Sequence, residues 1–168
     1  MKSRCKVLIM FVVLALAAGT LLFFLSPKTL MLVLVEQESG QVLKTVPITE
    51  GAQLTFHWIH SFEHIPWIEE YTISPEDGFL LNTIKVAGFG AGIPENKGVV
   101  SLEDGMVVMR SIDQAFDKIS WIHSQTALVS ITVEGQTFMH GTEIPHHVPV
   151  ELYLKGIRTI WPRSLLTN

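Results

Sequence analysis

The chain has 168 residues, enough for one domain of ordinary size. Its 48% apolar content and net charge of −4 exclude a disordered chain and argue against a nucleic-acid binder, which carries a basic stripe. A single cysteine excludes an internal disulfide framework and a cysteine-only zinc site.

The first element is residues 7–25, VLIMFVVLALAAGTLLFFL, an uncharged run of 19 residues. As a helix it would span about 28 Å, close to the roughly 30 Å of a bilayer core. Lys2, Arg4 and Lys6 precede it and only Lys28 follows closely, so the positive-inside rule keeps the N-terminus cytoplasmic. The expected organisation is a cytoplasmic tip (1–6), a transmembrane signal-anchor (7–25) and an extracytoplasmic domain (26–168). The expected location is single-pass in the cytoplasmic membrane. Cleavage at Ala15-Leu16-Ala17 would secrete the chain instead, but the bulky end of the run favours retention. Beyond position 25 the charge is −7, with all seven histidines.

The remainder is read as short β-branched and aromatic runs between turn signals. Strands are expected at 30–35, 42–47, 54–60, 68–73, 79–87, 106–110, 119–122, 128–133 and 148–154. Glu76-Asp77-Gly78, Glu103-Asp104-Gly105 and Glu134-Gly135 supply turns. Along 54–60, Leu54, Phe56, Trp58 and His60 share one face. One helical turn is expected at 113–118. The fold class is all-β, an antiparallel sandwich or barrel-like domain after one N-terminal transmembrane helix.

Six of the seven histidines fall in two windows: His57, His60 and His64, then His140, His146 and His147. Glu63, Glu69 and Glu70 accompany the first and Glu143 the second. Imidazole with carboxylate is what a transition metal such as zinc needs, and His60, Glu63, His140, His146 and His147 are the candidate ligands. Pro145 prevents stacking on one helical face, so such a site would lie on loops. The competing reading makes these histidines hydrogen-bonding surface groups, with no cofactor. A Ser61–His60 catalytic pair is disfavoured because adjacent strand residues face opposite sides, and the same holds for Glu69 with Glu70. A metal-assisted hydrolase using Glu63 or Glu69 as base would need the metal first. The glycines of 88–95, GFGAGIPE, permit close backbone approach but lack the spacing and helix of a dinucleotide loop.

His60, Ser61 and Glu63 followed by Pro66 and Glu69, then Gly90, Gly92 and Pro94, form a pattern that resembles the bacterial family called domain of unknown function 1850. The resemblance runs over roughly 30–154. It implies a small exported or membrane-anchored protein, often encoded beside tripartite ATP-independent periplasmic (TRAP) transporters, notably those with a fused permease. It assigns no enzymatic activity and no residue roles. The expected function is a non-enzymatic accessory or binding module. Its partner would be a transport permease or substrate-binding protein, met at a rim built from the eight signature residues. The alternative is a domain binding a small ligand or transition metal through the two histidine windows.

Overall fold

A computed structural model describes residues 2–25, 28–88 and 97–158. In chain order these form α1 (Lys2–Leu25), β1 (Lys28–Glu36), β2 (Val42–Ile48), β3 (Gln53–Ile59), β4 (Pro66–Ser74) and β5 (Gly78–Val86). Then come β6 (Val99–Glu103), β7 (Met106–Arg110), β8 (Gln114–Phe116), β9 (Lys118–Ile122), β10 (Leu128–Val133) and β11 (Gln136–His140). A 3-10 turn (Gly141–Glu143) and β12 (Pro149–Arg158) complete the order. The chain divides into two compact units, Leu30–Lys155 and a second that includes α1.

The helix forms where the sequence is rich in Leu and Ala and free of proline. Among the described residues, however, no helix is long and apolar enough to cross a membrane. The expected single-pass location in the cytoplasmic membrane is corrected accordingly.

The chain is all-β beyond α1. The strands form a sheet ordered β2-β1-β12-β9 and a larger one ordered β11-β10-β3-β4-β5-β7-β6. Every pairing whose register is described is antiparallel. Alternation puts Leu32 and Leu34 of β1 and Val150 and Leu152 of β12 into the same core as Leu54 and Phe56 of β3. Phe56, Leu32, Leu54 and Leu152 are completely buried.

One irregularity shapes the larger sheet. In β5, Thr83 faces Glu70 and Leu81 faces Tyr71, so Asn82 is an extra residue in the ladder. The bulge inverts the side-chain parity, and Phe79 and Leu81 before it and Ile84 and Val86 after it are all buried. The Asn82 carboxamide oxygen accepts from Thr72 Oγ1 at 2.6 Å, and its backbone carbonyl from Ile112 N at 3.2 Å. The far edge of β5 is shared: β7 pairs with Ile84–Val86 and β8 with the part around Gly78–Leu81. Gly78 (φ +75°) allows this, because a Cβ there would lie 2.3 Å from the Phe116 carbonyl oxygen.

The helical turn expected at 113–118 is instead β8, extended and paired to β5. Asp113 has φ +50°, which cannot start a right-handed helix, and the unpaired edge of β5 claims the next three residues. The short strands β6, β8 and β11 were not expected as separate elements.

Candidate functional site

The site begins with the register of β3 against β4. Leu54 faces Tyr71, Phe56 faces Glu69 and Trp58 faces Trp67. On the other side Glu69 faces Ile84 of β5. Glu69 therefore occupies a row between two buried apolar side chains, where alternation calls for an apolar residue. Glu70, one residue on, takes the opposite face and pairs with Lys85 at 2.5 Å.

Glu69 is held by aromatic donors. Its Oε2 accepts from Trp58 Nε1 and Tyr71 Oη, and its Oε1 from Trp67 Nε1, each at 3.2 Å. An indole N–H only donates, so these contacts favour the carboxylate over the acid. Burial acts the other way and is the larger effect, raising the Glu69 carboxyl above its usual range. Burial, then the Glu69 charge and hydrogen bond, raise Tyr71 as well, so its hydroxyl stays a donor.

Above this carboxylate lies a cleft of about 490 Å³, within the range of small-ligand sites. Its floor is Glu69 with Trp58, Trp67 and Tyr71, and its walls include Phe116 and Trp121. The aromatic side chains brace one another. Trp58 stacks on Phe56 at 5.6 Å between centroids and meets Trp121 edge-on at 6.1 Å. Trp67 stacks on His60 at 5.7 Å. A smaller hollow of about 130 Å³ has Lys44 and Glu143 in its lining, already paired with each other at 2.7 Å. It offers a ligand no free charge.

The residues named from sequence divide into three groups. His60 and Ser61 line the cleft, and Glu69 is its floor. The His60 Nδ1 accepts from the Glu63 backbone N–H at 3.2 Å, closing the signature turn. Pro66 opens β4 and is exposed. Glu63 is half-buried, and its Oε2 is buried with no hydrogen-bond partner among the described residues. A Cβ on Gly88 would lie 2.5 Å from Ile65 Cδ1 and 3.3 Å from Glu63 Oε2, so the start of the glycine segment passes against that turn. Gly90, Gly92 and Pro94 lie outside the described residues.

His140, His146 and His147 sit at the end of β11 and in the loop before β12, all exposed. His146 and His147 have rings 5.7 Å apart, and the His146 Nδ1 accepts from Gln125 N at 3.4 Å. Glu143 is occupied by Lys44 and by the His140 backbone N–H, and these contacts, Lys44 foremost, lower its pKa. Among the described residues no group of three or more His, Cys, Asp or Glu side chains is placed to hold a metal ion.

The remaining histidine, outside both windows, has the structural role. His123 is fully buried, with Nε2 2.7 Å from the Gly141 carbonyl oxygen. Since a carbonyl only accepts, Nε2 carries the proton in that contact. Sequence reasoning also passed over Trp58, Trp67, Tyr71 and Trp121 as site residues. The signal was present in Trp67-x-Glu69-x-Tyr71, where period two puts a carboxylate between two aromatic residues on one face.

Residues 54–139 match a family model described as domain of unknown function (DUF1850). The chain belongs to the DUF1850 family. No curated protein and no solved structure matches it. The DUF1850 match starts in β3 and ends in β11, so it encloses every residue of the cleft floor. His140, His146 and His147 fall outside it.

Proposed function

We propose that this DUF1850 chain is a non-enzymatic binding module whose aromatic cleft takes a small ligand over Glu69. The observation that carries the reading is the half-buried carboxylate at the cleft floor, fixed by three aromatic donors. Three such contacts orient the group far more firmly than an exposed side chain, which is how a recognition site is preorganised. The cleft also lacks the arrangement of a hydrolase with two carboxylates. Glu70 is on the opposite face and tied to Lys85. The His60 Nδ1 is taken by the backbone of Glu63.

The transport setting implied by the family resemblance suits a module that presents a solute to a permease or substrate-binding protein. Phe62, 78% exposed in the signature turn beside His60 and Ser61, is the apolar contact such a partner would cover. Purification of the tagged full chain should enrich a transporter component over an unrelated control protein. A result equal to the control removes this partner.

The ligand reading is tested by screening pools of small metabolites against the full chain, following the indole N–H resonances of Trp58 and Trp67. At least one pool should shift both saturably, and Trp58→Phe should weaken that binding by about ten-fold, the scale of a lost hydrogen bond to a charged group. The absence of any shift across cationic, neutral and anionic pools overturns the reading.

A further inference from the structure

The cleft contains an electrostatic imbalance. Glu69 lies in an apolar row, yet among the described residues no cationic side chain forms an ion pair with it. Even a half-buried carboxylate without a positive partner carries a desolvation cost, and neutral donors offset only part of it. Lys97 also lines the cleft, but it is exposed, and its Nζ donates to Gln114 Oε1 at 2.8 Å.

The acceptor count is also incomplete. An ionised carboxylate offers about four acceptor positions. Among the described residues two donors occupy Oε2 and one occupies Oε1, which leaves an Oε1 position for a ligand. Trp58, Trp67 and Tyr71 turn their donor edges to Glu69, and with Trp121 they line the same cleft, where an aromatic face attracts a cation and not an anion. The net charge of −4 on the whole chain favours the same sign of ligand.

We propose that the ligand is a small organic cation, with an alkylammonium group seated against Glu69 and flanked by the aromatic side chains of the cleft. This rests on the ligand-binding reading above and names its chemical class. An anion would meet the Glu69 charge at close range. A neutral molecule would fill the space and leave that charge unbalanced.

Choline and 3,3-dimethylbutan-1-ol are matched probes, since they share a shape and differ in one positive charge. Each is titrated into the full chain, with the indole resonances of Trp58, Trp67 and Trp121 as the readout and acetate as the anionic comparison. Choline should bind at least about ten-fold more tightly than the alcohol. Glu69→Gln should abolish that preference, whereas Glu70→Gln, on the other face, should keep it. The wild-type comparison needs no variant to fold.

Equal binding of choline and the alcohol, or stronger binding of acetate, overturns the cationic class and leaves the cleft a ligand site. So does a choline preference that survives in a folded Glu69→Gln chain. Silence from all three probes, while a metabolite pool still shifts the indoles, also rejects the class alone. Silence from probes and pools together rejects both proposals.

Discussion

Glu69 and Glu103 are carboxylates of one chain driven in opposite directions by their surroundings. Glu103 is exposed, and hydrogen bonds from Arg110 and then Ser101 hold its pKa down at about 2. Its contribution is present above the unfolded carboxylate value of about 4.3 and is lost only as pH falls towards the depressed value. Glu69 behaves in reverse. Desolvation raises its folded pKa, so the unfolded chain releases that proton first as pH rises. The folded state then loses stability from about pH 4.3 upward, until the raised folded value is passed. Glu69→Gln should therefore lose less melting temperature than wild type between about pH 4.5 and 7.5. Thermal unfolding followed by circular dichroism at the two pH values measures this, and an equal loss would show that Glu69 ionises as freely as a surface group. Tyr71→Phe should act in the opposite sense, because it removes a donor to the charged form.

At the scale of the strand, Asn82 determines which side chains face inward. With the extra residue in place, Phe79, Leu81, Ile84 and Val86 all reach the core. Removing it restores strict alternation, and one pair must turn towards solvent or the ladder must slip. Deletion of Asn82 should abolish cooperative thermal unfolding. Asn82→Ala keeps the residue count and should cost about 1 kcal/mol, the scale of its lost hydrogen bond. If the deletion melted as cooperatively as the alanine variant, the bulge would not be setting the register. The same bulge leaves the far edge of β5 in two parts, and so admits β8 and brings Phe116 to the cleft wall.

For the molecule as a whole, core and cleft are joined through Phe56. It is fully buried, stacks on Trp58 and meets Tyr71 and Trp121 at 5.7 Å each. Phe56→Ala should cost about 3–5 kcal/mol, a large part of the roughly 5–15 kcal/mol that stabilises a domain. Denaturant unfolding measures the loss. A cost below about 1 kcal/mol would mean that the aromatic cluster bears little of the packing.

The all-β class and most strands were legible because apolar alternation broken by Glu-Asp-Gly and Glu-Gly turns is a local signal. The edge strands were harder. For residues 114–116, which pair only because β5 leaves an edge open, tertiary pairing overrode local propensity. In the site, Glu69 was visible within the signature, but its environment was not. Alternation puts Glu69 and Glu70 on opposite faces without saying which face is interior. Trp121 reaches the cleft from a strand far along the chain. The histidine windows drew attention by composition alone, and the structure disperses them: His57 within β3, His60 and His64 in the signature turn, and His140, His146 and His147 exposed after β10.

The carboxylate and its three donors all fall between Trp58 and Tyr71, on one hairpin, while Phe116 and Trp121 arrive from distant sequence. Chain neighbours meet sooner than residues separated by long loops. The carboxylate and its donors can thus assemble before Phe116 and Trp121 arrive. Substitution at Phe116 or Trp121 would then reshape the proposed ligand cleft while leaving Glu69 and its three donors in place.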